Sequence, residues 1–475
     1  MVVREAVKLI SLKETITSAE MNATDLNCEY YGLSRLQLME NAGRAVAEEI
    51  KKFKPEKVVV FAGTGNNGGD AFVASRFLSN ESEVEIYVLG KEVKTEIAKK
   101  NLELAKLSGI EVKVANTPDK LPEKIEADCV VDAMLGRTKG KLREPYSSTV
   151  ELINSTKATV VAIDVPTGVN PDTGEFEKAV KANVTVTFHR LKPCFLKPEV
   201  KEYAGKVVVK SIGIPPAIEV LSGPGDVKLA FKRDEFGHKG KHGRILVVGG
   251  GPYKGAPFLS AISALKAGAD LVFLAVPSEI EKIVSSYSPE IIVRGFNSPE
   301  ELNFKVDVAV VGMGMEEKLA KEVLEVLNCE KFVLDASAIP YFELIEGKEV
   351  ILTPHRGEAK KYLRIDSAEE LVSFAKENGL TVLLKGKVDF ITDGINAKVN
   401  TSGNSGMTVG GTGDVLAGIC GAMLSNSSAF KAAVASSFLC GLAGDLSFED
   451  KGYCLTAMDV VEKIPSAVKR CLEFS

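Results

Sequence analysis

The stretch Gly406-Met407-Thr408-Val409-Gly410-Gly411-Thr412-Gly413-Asp414-Val415-Leu416-Ala417-Gly418 joins a glycine-rich turn to an apolar run that predicts a helix. The N–H groups and the positive dipole end of a helix N-terminus bind an anion or a developing oxyanion. Asp414, at the mouth of this turn, is therefore either a carboxylate that accepts a proton from a substrate hydroxyl or the N-cap of the helix. The density of glycine favours the anion-binding interpretation.

Strands and helices alternate around this turn through the second half of the chain. A helix is predicted at 256–267, and the part from Val415 onward is predicted to be largely helical, with a strongly apolar run at 432–446. The predicted strands are 244–248, 271–275, 306–311, 332–335, 350–352, 382–385 and 390–392.

The first half shows the same alternation but does not repeat the second. Residues 14–52 have helical spacing of apolar residues, and strands are predicted at 57–62, 84–89, 111–114, 129–131, 159–163, 184–188 and 206–212. Alternating strands and helices indicate a mostly parallel sheet covered on both faces, so the fold class is α/β. The Gly/Pro/Ser cluster at 221–226 is the predicted linker between two domains, 1–220 and 227–475.

Composition excludes several classes of protein. The chain has 475 residues, is 45% hydrophobic and 26% charged, and carries a formal net charge of −5, which argues against nucleic-acid and membrane partners. Its eight cysteines include no C-x-x-C pair, which indicates a cytoplasmic protein without structural zinc. No stretch approaches eighteen apolar residues, so neither a leader nor a membrane span is expected.

Gly63, Gly65 and Gly68 satisfy G-x-G-x-x-G directly after a predicted strand. The acidic residue expected at the end of the second strand is missing, which argues against a hydride-transferring dinucleotide site. The loop instead supplies side-chain amides, bare backbone and the Asp70 carboxylate.

Asp132 and Asp164 each follow a predicted strand, at the edge where doubly wound sheets bind ligands. The run 136–143 is either a phosphate clamp or a solvated turn, and its position after a strand favours the clamp. Asn67, Asp132 and Thr167 offer oxygen ligands for a hard cation, although a capping or turn role for Thr167 is equally compatible with the spacing.

Residues 39–43, 63–70, 136–143 and 162–170 resemble, in order, the N-terminal domain of the NAD(P)H-hydrate repair proteins. The resemblance implies a Rossmann-like doubly wound domain that interconverts the R and S forms of hydrated NAD(P)H, with Asp164 as a catalytic residue. It implies a K⁺ site formed by Asn67, Asp132 and Thr167. The nucleotide contacts that it implies are Asn66, Asn67, Gly68, Gly69, Asp70, Gly136, Arg137, Thr138, Lys139, Gly140, Lys141, Leu142 and Asp164. Two departures stand out: Thr167 replaces the usual Ser, and His189 replaces a residue that is often small.

The second half carries further polar turns. His238–Arg244 is either a phosphate-binding segment or a solvated linker, Gly312-Met313-Gly314 follows a strand, and His355 lies in a Pro/Gly turn that favours ligand contact. Lys385-Gly386-Lys387 closes another strand, in position to meet a phosphate.

These turns, with 253–257 and 410–414, resemble the ribokinase-like dehydratase domain of the same family. The resemblance implies that a nucleotide phosphorylates the hydroxyl of the hydrate, which then leaves as phosphate, with Asp414 as base and with Mg²⁺. Ala256, Gly314 and His355 would contact the hydrate. The nucleotide contacts would be Lys385, Gly386, Lys387, Val388, Asp389, Asn404, Ser405, Gly406, Met407, Thr408, Val409, Gly410, Gly411, Thr412, Gly413 and Asp414.

The resulting hypothesis is a bifunctional epimerase and dehydratase that uses ADP or ATP, with ADP typical of prokaryotic fused members of the family. We expect a cytoplasmic homo-oligomer. The alternatives are a ribokinase-like small-molecule kinase with a regulatory nucleotide-binding first domain, and a non-catalytic first domain. The presence of Asp132 and Asp164 argues against the last.

Overall fold

The computed structural model describes residues 2–11, 13–138, 140–234, 236–238 and 240–474. The chain divides into two compact units. The first is Lys13–Pro215, and the second combines Pro216–Ser475 with the N-terminal helix α1 (Val2–Ser11). Each unit contains its own sheet and its own buried core.

The first unit is a seven-stranded parallel sheet in the order β3-β2-β1-β4-β5-β6-β7. Its central strands are Val-rich and almost wholly buried, as strands covered on both faces must be. Its strands are β1 (Lys57–Ala62), β2 (Glu83–Val88), β3 (Glu111–Val114), β4 (Cys129–Ala133), β5 (Thr159–Ile163), β6 (Val184–Phe188) and β7 (Lys206–Lys210). Its helices are α2 (Ser18–Tyr30), α3 (Arg35–Lys51), α4 (Asn66–Leu78), α5 (Glu96–Leu107), α6 (Tyr146–Ser155) and α7 (Pro198–Ala204).

The strand order reverses between β1 and β4, because β2 and β3 extend the sheet to one side and β5 to β7 extend it to the other. In open α/β sheets the two loops at such a switch point run in opposite directions, which leaves a crevice between them at the carboxyl ends of the strands. The loops after β1 and β4 therefore lie where a ligand is expected.

The second unit has a nine-stranded sheet in the order β10-β9-β8-β11-β12-β13-β14-β15-β16, parallel except at the antiparallel pairs of β15 with β14 and β16. Its strands are β8 (Arg244–Val248), β9 (Leu271–Pro277), β10 (Ile292–Phe296), β11 (Val308–Val311), β12 (Lys331–Leu334), β13 (Glu349–Leu352), β14 (Thr381–Leu384), β15 (Asp389–Thr392) and β16 (Ala397–Asn400). Its helices after α1 are α8 (Pro216–Glu219), α9 (Pro224–Ala230), α10 (Gly255–Lys266), α11 (Ser278–Ser285), α12 (Glu317–Val326), α13 (Arg356–Glu358), α14 (Ala368–Asn378), α15 (Thr412–Leu424), α16 (Ala429–Lys451) and α17 (Ala457–Glu473).

Helix α16 is the central helix of the second unit. Together with the short turn that follows it, it is the one helix of the described chain that is long and apolar enough to cross a membrane by length and composition. In its most apolar window, 78% of the residues are buried inside the unit, where α16 packs against α9, α15 and α17. A core helix passes the same test of length and composition, so this finding is weak evidence for a span.

The domain boundaries differ from the sequence prediction of 1–220 and 227–475. Helix α1 belongs to the second unit, where its buried Ala6 joins the same core cluster as Val399 of β16. The predicted linker at 221–226 is ordered instead: Gly223 caps α9, and its N–H donates to Asp226 at 2.9 Å. An amphipathic helix with an apolar face on a neighbouring sheet gives no local signal of which domain it joins, which explains the difference.

Candidate active sites

The glycine-rich loop after β1 brings the N-terminus of α4 to the switch point of the first sheet. A Cβ on Gly63 would clash with the carbonyl oxygen of Met134, and a Cβ on Gly68 would clash with the carbonyl oxygen of Gly63. Glycine is therefore required for the close approach of this loop to the β4 loop. Gly65 is the N-cap of α4 and makes no side-chain cap, so the first N–H groups of the helix are left to a ligand.

A cavity of about 360 Å³ lies beside this helix end. It brings together six predicted ligand contacts: Asn66, Asn67, Asp70, Gly136, Arg137 and Asp164. It also includes charged residues that the sequence did not single out: Asp25, Arg35 and Lys192. A single cavity with converging amides, carboxylates and cations has the composition of a ligand-binding site.

Asp164 and Lys192 form the central ion pair of this cavity. The Lys192 Nζ lies 2.9 Å from Asp164 Oδ1, and the Lys192 side chain is 3% exposed. Thr187 Oγ1 donates to the same Asp164 oxygen at 3.0 Å. Asp164 has a φ of +65°, a left-handed backbone conformation that Asp tolerates better than most residues. This conformation holds the carboxylate at the end of β5 against the loop that follows β6.

Two further carboxyls line the cavity and favour the protonated form. Burial raises the pKa of Asp25 to about 7; the charge of Asp164 adds to the rise, and the charges of Lys192 and Arg35 oppose it. Burial raises the pKa of Asp70 well above its usual range, and the charges of Asp164 and Asp25 add to this rise. Asp25 and Asp70 are thus carboxyls that hold a proton beside a neighbour that is ion-paired.

The predicted K⁺ ligands Asp132 and Thr167 lie in direct contact. Asp132 is fully buried within β4, and it accepts hydrogen bonds from the Thr167 N–H and the Thr167 hydroxyl, both at 2.7 Å. Burial raises its pKa to about 6, whereas the hydrogen bonds from Thr167 and Met134 oppose the rise. In the part of the chain that the structure describes, no positive side chain compensates this buried carboxylate.

Asn67, whose side chain lies against Gly136 of the loop after β4, supplies a second observation. Its Nδ2 is buried and has no hydrogen-bond partner within the described residues. The two ends of a carboxamide occupy equivalent positions, so with the amide turned over its oxygen takes the unpartnered position. The buried carboxylate has no cationic partner in the described chain, and the amide can offer an oxygen. Such a set of oxygen donors fits a hard cation such as K⁺.

The predicted phosphate clamp reaches the cavity through its first residues alone. Arg137 lines the cavity and lies 3.8 Å from Asp172, whereas Lys141 is exposed and faces Glu177. Thr138 is buried and accepts a hydrogen bond from the Gly168 N–H at 3.1 Å, and Leu142 packs against the core. Lys139 lies outside the described residues.

In the second unit, Asp414 is the third residue of α15 and not its cap. Gly411 occupies the N-cap position with a φ of +98°, a conformation that favours glycine, and no side chain caps the helix. The alternative interpretation of Asp414 as an N-cap is therefore wrong. The first N–H groups of α15 and the Asp414 carboxylate are presented together.

A partly buried lysine lies beside this helix end. The Lys385 Nζ is 2.7 Å from Asp335 Oδ1, and a Cβ on Gly413 would lie 3.3 Å from the same Nζ. Asp335 also accepts a hydrogen bond from the Thr353 hydroxyl at 2.8 Å. Burial raises the pKa of Asp414 to about 7; the charge of Asp335 adds to the rise and Lys385 opposes it. A carboxyl with this pKa is suited to act as a base at neutral pH.

Two of the predicted hydrate contacts meet at the carboxyl end of the second sheet. Gly314, with a φ of +68°, follows β11, and a Cβ placed on it would lie 3.2 Å from the Cβ of Ala256. The third, His355, caps α13: its Nδ1 accepts from the Gly357 N–H at 2.9 Å, and its Nε2 lies 3.6 Å from Glu358 on a side chain that is largely exposed. His355 also forms a β-bridge with Lys385.

The two predicted nucleotide segments meet where Lys385 approaches Gly413, and both segments are anchored. The Asp389 carboxylate accepts a hydrogen bond from the Gly386 N–H at 2.9 Å and another from the Ser437 hydroxyl at 2.6 Å. The Asn404 side chain accepts from the Gly406 N–H at 2.9 Å and donates to Asp445 at 2.9 Å. These anchors fix the main chain of both segments.

His238–Arg244 is only partly described, because Lys239 lies outside the described residues. His242 is buried, where its Nε2 accepts from the Asp234 N–H at 3.0 Å. Arg244 forms a bidentate pair with Asp307 at 2.7 and 3.2 Å. These two side chains hold the start of β8 in place, so their role is structural and neither of the two predicted roles applies to them.

Sequence reasoning missed Asp25, Arg35 and Lys192 because they follow no glycine-rich turn. A signal was present for Lys192 alone, which lies a few residues after a strand that was correctly predicted. The left-handed φ of +65° at His189 explains why a small residue suits that position, although His189 occupies it in this chain.

In a comparison with known protein families, each unit matches a family of its own. Residues 35–194 match the family described as YjeF-related protein N-terminus, and residues 245–466 match the family described as NAD(P)H-hydrate dehydratase. The two matches follow the order of the two units along the chain.

Curated relatives match over almost the full chain. The bifunctional NAD(P)H-hydrate repair enzyme Nnr of Archaeoglobus fulgidus is 52% identical over 476 residues, which cover 97% of this chain and 100% of that protein. The protein of the same name from Pyrobaculum aerophilum is 40% identical over 494 residues, covering 96% of this chain and 98% of that protein. A solved structure of ADP/ATP-dependent NAD(P)H-hydrate dehydratase from Bacillus subtilis, co-crystallised with ATP/Mg²⁺, is 22% identical. It has a TM-score of 0.47 and covers 52% of this chain and 97% of that chain.

Proposed function

Because the chain belongs to the family of bifunctional NAD(P)H-hydrate repair enzymes, we propose that its two units carry the two activities of that family. The first unit interconverts the R and S forms of hydrated NAD(P)H. The second unit dehydrates the S form at the expense of a nucleotide and releases NAD(P)H and phosphate. The observation that carries the proposal is the Asp414 carboxyl, with its pKa of about 7, beside Lys385 at an uncapped helix N-terminus.

The geometry of the second unit accounts for the phosphoryl transfer. Asp414 takes the proton of the hydrate hydroxyl as the oxygen attacks the terminal phosphorus of the nucleotide. The bare N–H groups of α15 and the Lys385 ammonium lie where negative charge develops on the transferring phosphoryl group. The ring then expels phosphate and loses a proton from the neighbouring carbon, which restores the dihydronicotinamide double bond. Magnesium bound with the nucleotide supplies additional neutralisation of charge.

ADP is the donor in this proposal, as the resemblance to prokaryotic fused proteins implies. Lys385–Asp389 and Asn404–Gly413 hold the nucleotide, and Ala256, Gly314 and His355 contact the hydrate. The close approach of Lys385 to Gly413 and of Gly314 to Ala256 supports these assignments. In the first unit, Asn66–Asp70, Gly136–Leu142 and Asp164 hold the hydrated nucleotide, supported by the shared cavity of Asn66, Arg137 and Asp164.

The proposal includes a potassium ion held by Asn67, Asp132 and Thr167. It is supported by the buried Asp132 carboxylate, which lacks a positive neighbour in the described chain, and by the unpartnered amide of Asn67. Such an ion would supply the positive charge that the buried Asp132 carboxylate otherwise lacks.

If the site binds potassium, the ion stabilises the folded protein. Thr167→Val is expected to remove this stabilisation by potassium. The change removes the hydrogen bond from the Thr167 hydroxyl to Asp132 and leaves the Leu135 N–H, which donates to that hydroxyl at 3.1 Å, without a partner. We expect the free energy of unfolding to fall by about 1–3 kcal/mol. Thermal unfolding in KCl and in NaCl measures both effects: the wild type gains stability from potassium and the variant does not. Thr173→Val, at an exposed site, is the control that should keep the wild-type response. A variant that still responds to potassium would contradict the assignment.

Absorbance of the reduced nicotinamide tests the function directly. The protein is mixed with both epimers of NADH hydrate, magnesium, and either ADP or ATP. Complete recovery of absorbance supports both activities and identifies the donor. Recovery of only the part of the absorbance that belongs to one epimer would refute the epimerase activity of the first unit. A stable phosphorylated product without recovery supports the kinase alternative.

A cytoplasmic location and a homo-oligomeric state complete the proposal. The location is supported by the eight cysteines, all of which are unpaired and all but Cys454 buried. Such thiols are typical of a reducing compartment. Light scattering on the purified protein tests the oligomeric state.

A further inference from the structure

We infer that Asp25 is a catalytic acid–base residue of the first unit, acting on the hydroxyl of the hydrate together with the Asp164–Lys192 pair. This inference rests on the proposed epimerase activity, and it assigns to Asp25 the proton transfer that this activity requires. It is carried by the position of Asp25 in the cavity and by the hydrogen-bonding state of its carboxyl.

Asp25 has the position of a reacting group. It lies in the middle of α2, and its side chain lines the cavity shared with Asp164, Lys192 and the N-terminus of α4. Its Oδ1 is buried and has no hydrogen-bond partner among the residues that the structure describes. A buried carboxyl oxygen without a partner is costly unless a ligand or a proton completes it.

Helix α2 is fixed to the loop that carries Lys192. The Ile16 N–H donates to the carbonyl of Leu191 at 2.9 Å, and the Arg190 guanidinium donates to the carbonyl of Lys13 at 2.5 Å. Thr17 then caps α2 through a reciprocal pair with Glu20. The Asp25 carboxyl is thus held in a constant position relative to the Asp164–Lys192 pair, as a proton-transfer residue must be.

The charges around Asp25 leave it a carboxyl that can give up and regain a proton. The groups that act on it are Lys192, Arg35 and Asp164, and Asp25 in turn acts on Asp70. Lys192 is already paired with Asp164 at 2.9 Å, and Arg35 lies 3.8 Å from Glu29. Neither cation is therefore committed to Asp25. Burial raises its pKa to about 7, so both protonation states are accessible near neutral pH.

Asp164 cannot perform both proton transfers alone. It is the carboxylate of an ion pair with Lys192 and accepts a further hydrogen bond from the Thr187 hydroxyl. An ionised carboxylate accepts a proton from water but has none to give to a leaving hydroxyl. The cavity therefore needs a second group that carries a proton. Asp25 is such a carboxyl, and its Oδ1 is buried without a hydrogen-bond partner among the described residues.

The two epimers differ at the ring carbon that bears the hydroxyl, next to the ring nitrogen. Asp25 protonates the hydroxyl, the C–O bond breaks with its electron pair on oxygen, and water leaves while the nitrogen lone pair stabilises the cation as an iminium. Water then adds to the opposite face of the ring and gives a proton to the Asp164 carboxylate. One proton is gained and one is lost, and nothing is oxidised or reduced. Solvent returns the proton between turnovers, and the reverse reaction exchanges the roles of the two carboxyls.

The test measures interconversion of separated R and S NADH hydrate by the full-length protein, without nucleotide. Asp25→Asn keeps the shape of the side chain but cannot transfer the proton. We expect kcat to fall by about 10²–10⁴-fold with little change in KM. The wild-type rate is expected to fall as Asp25 loses its proton above about pH 7, and this alkaline limb is absent from the residual activity of the variant. Glu48→Gln, an exposed carboxyl of the same unit, is the matched control and keeps the wild-type rate.

The outcomes separate this inference from the proposed function. A wild-type protein that does not interconvert the epimers refutes the epimerase itself. A wild type that does so while Asp25→Asn matches its rate overturns the role of Asp25. A slow variant that keeps the alkaline limb also overturns it, because Asp25 would then act through structure. If Asp25→Asn fails to fold, Asp25→Glu replaces it: an alkaline limb shifted along the pH axis supports the role, and an unshifted limb overturns it.

Discussion

Asp414→Asn is expected to lower the rate of dehydration by about 10²–10⁴-fold while epimerisation keeps its wild-type rate. The reason is the position of the carboxyl at the third residue of α15, beside helix N–H groups that no side chain caps. Asparagine keeps the shape and the polarity of the side chain but accepts no proton. Removal of a positioned base therefore leaves nucleotide and hydrate binding in place and slows the chemical step, so that kcat falls and KM changes little.

Stability distinguishes this catalytic role from a structural one. The pKa of Asp414 is raised to about 7 in the folded protein from about 4 in the unfolded chain, so the folded state binds the proton more tightly. Ionisation then costs stability progressively as the pH rises through this window, and the whole cost is present above pH 7. Asparagine has no such cost. We expect Asp414→Asn to unfold at a temperature equal to or above that of the wild type at pH 8.

Absorbance recovery with S NADH hydrate and ADP measures the dehydration rate, and epimer interconversion without nucleotide is the internal control in the same protein. Asp393→Asn is a matched control, because Asp393 lies in the same unit and holds a turn after β15. A full dehydration rate in Asp414→Asn would show that another group is the base. A loss of both activities together with a lower unfolding temperature would show that Asp414 is structural.

Much of the fold follows from local sequence. Buried strands such as β1 and β5 are short apolar runs rich in β-branched residues, and their bounds match the predicted ones. Strands β10 and β16 were not predicted: they form the two edges of the sheet, and two of the five residues of β10 are exposed. The single helical region predicted at 14–52 is two helices, separated where Ser34 caps α3.

Some residues of the candidate sites can likewise be predicted from local sequence, and others cannot. Residues in glycine-rich turns after strands, such as Asn67 and Asp414, are visible in the sequence because the turn itself is the signal. Asp25 and Lys192 reach their cavity from a helix and from a loop with no such signal, and only tertiary structure brings them to Asp164. Asp335 is the last residue of a predicted strand, but its pairing with Lys385 joins the ends of two strands that are not neighbours in the sheet. Long-range pairing of this kind leaves no spacing to read.

Asp164→Ala is expected to abolish epimerisation, with a loss of about 10²–10⁴-fold, and to leave dehydration of the S epimer intact. It also removes the partner of Lys192, whose side chain is 3% exposed. The ammonium keeps three neutral partners: the Thr187 hydroxyl at 3.3 Å, the Phe188 carbonyl at 3.1 Å and the Arg190 carbonyl at 3.5 Å. An uncompensated buried charge destabilises by about 3–5 kcal/mol, so we expect the first unit to unfold at a lower temperature. A lost rate in this variant alone therefore does not separate chemistry from folding.

The double variant Asp164→Asn/Lys192→Met makes that separation. It removes both charges of the pair and keeps the volume of both side chains close to that of the wild type, so most of the lost stability should return. The carboxylate that accepts the proton of the adding water is still absent, so epimerisation should stay at the rate of the single variant. Thermal unfolding and epimer interconversion measured on the same three proteins decide the matter. If the double variant regains both stability and epimerisation, Asp164 serves only to neutralise Lys192. If it regains stability alone, the carboxylate acts on the substrate.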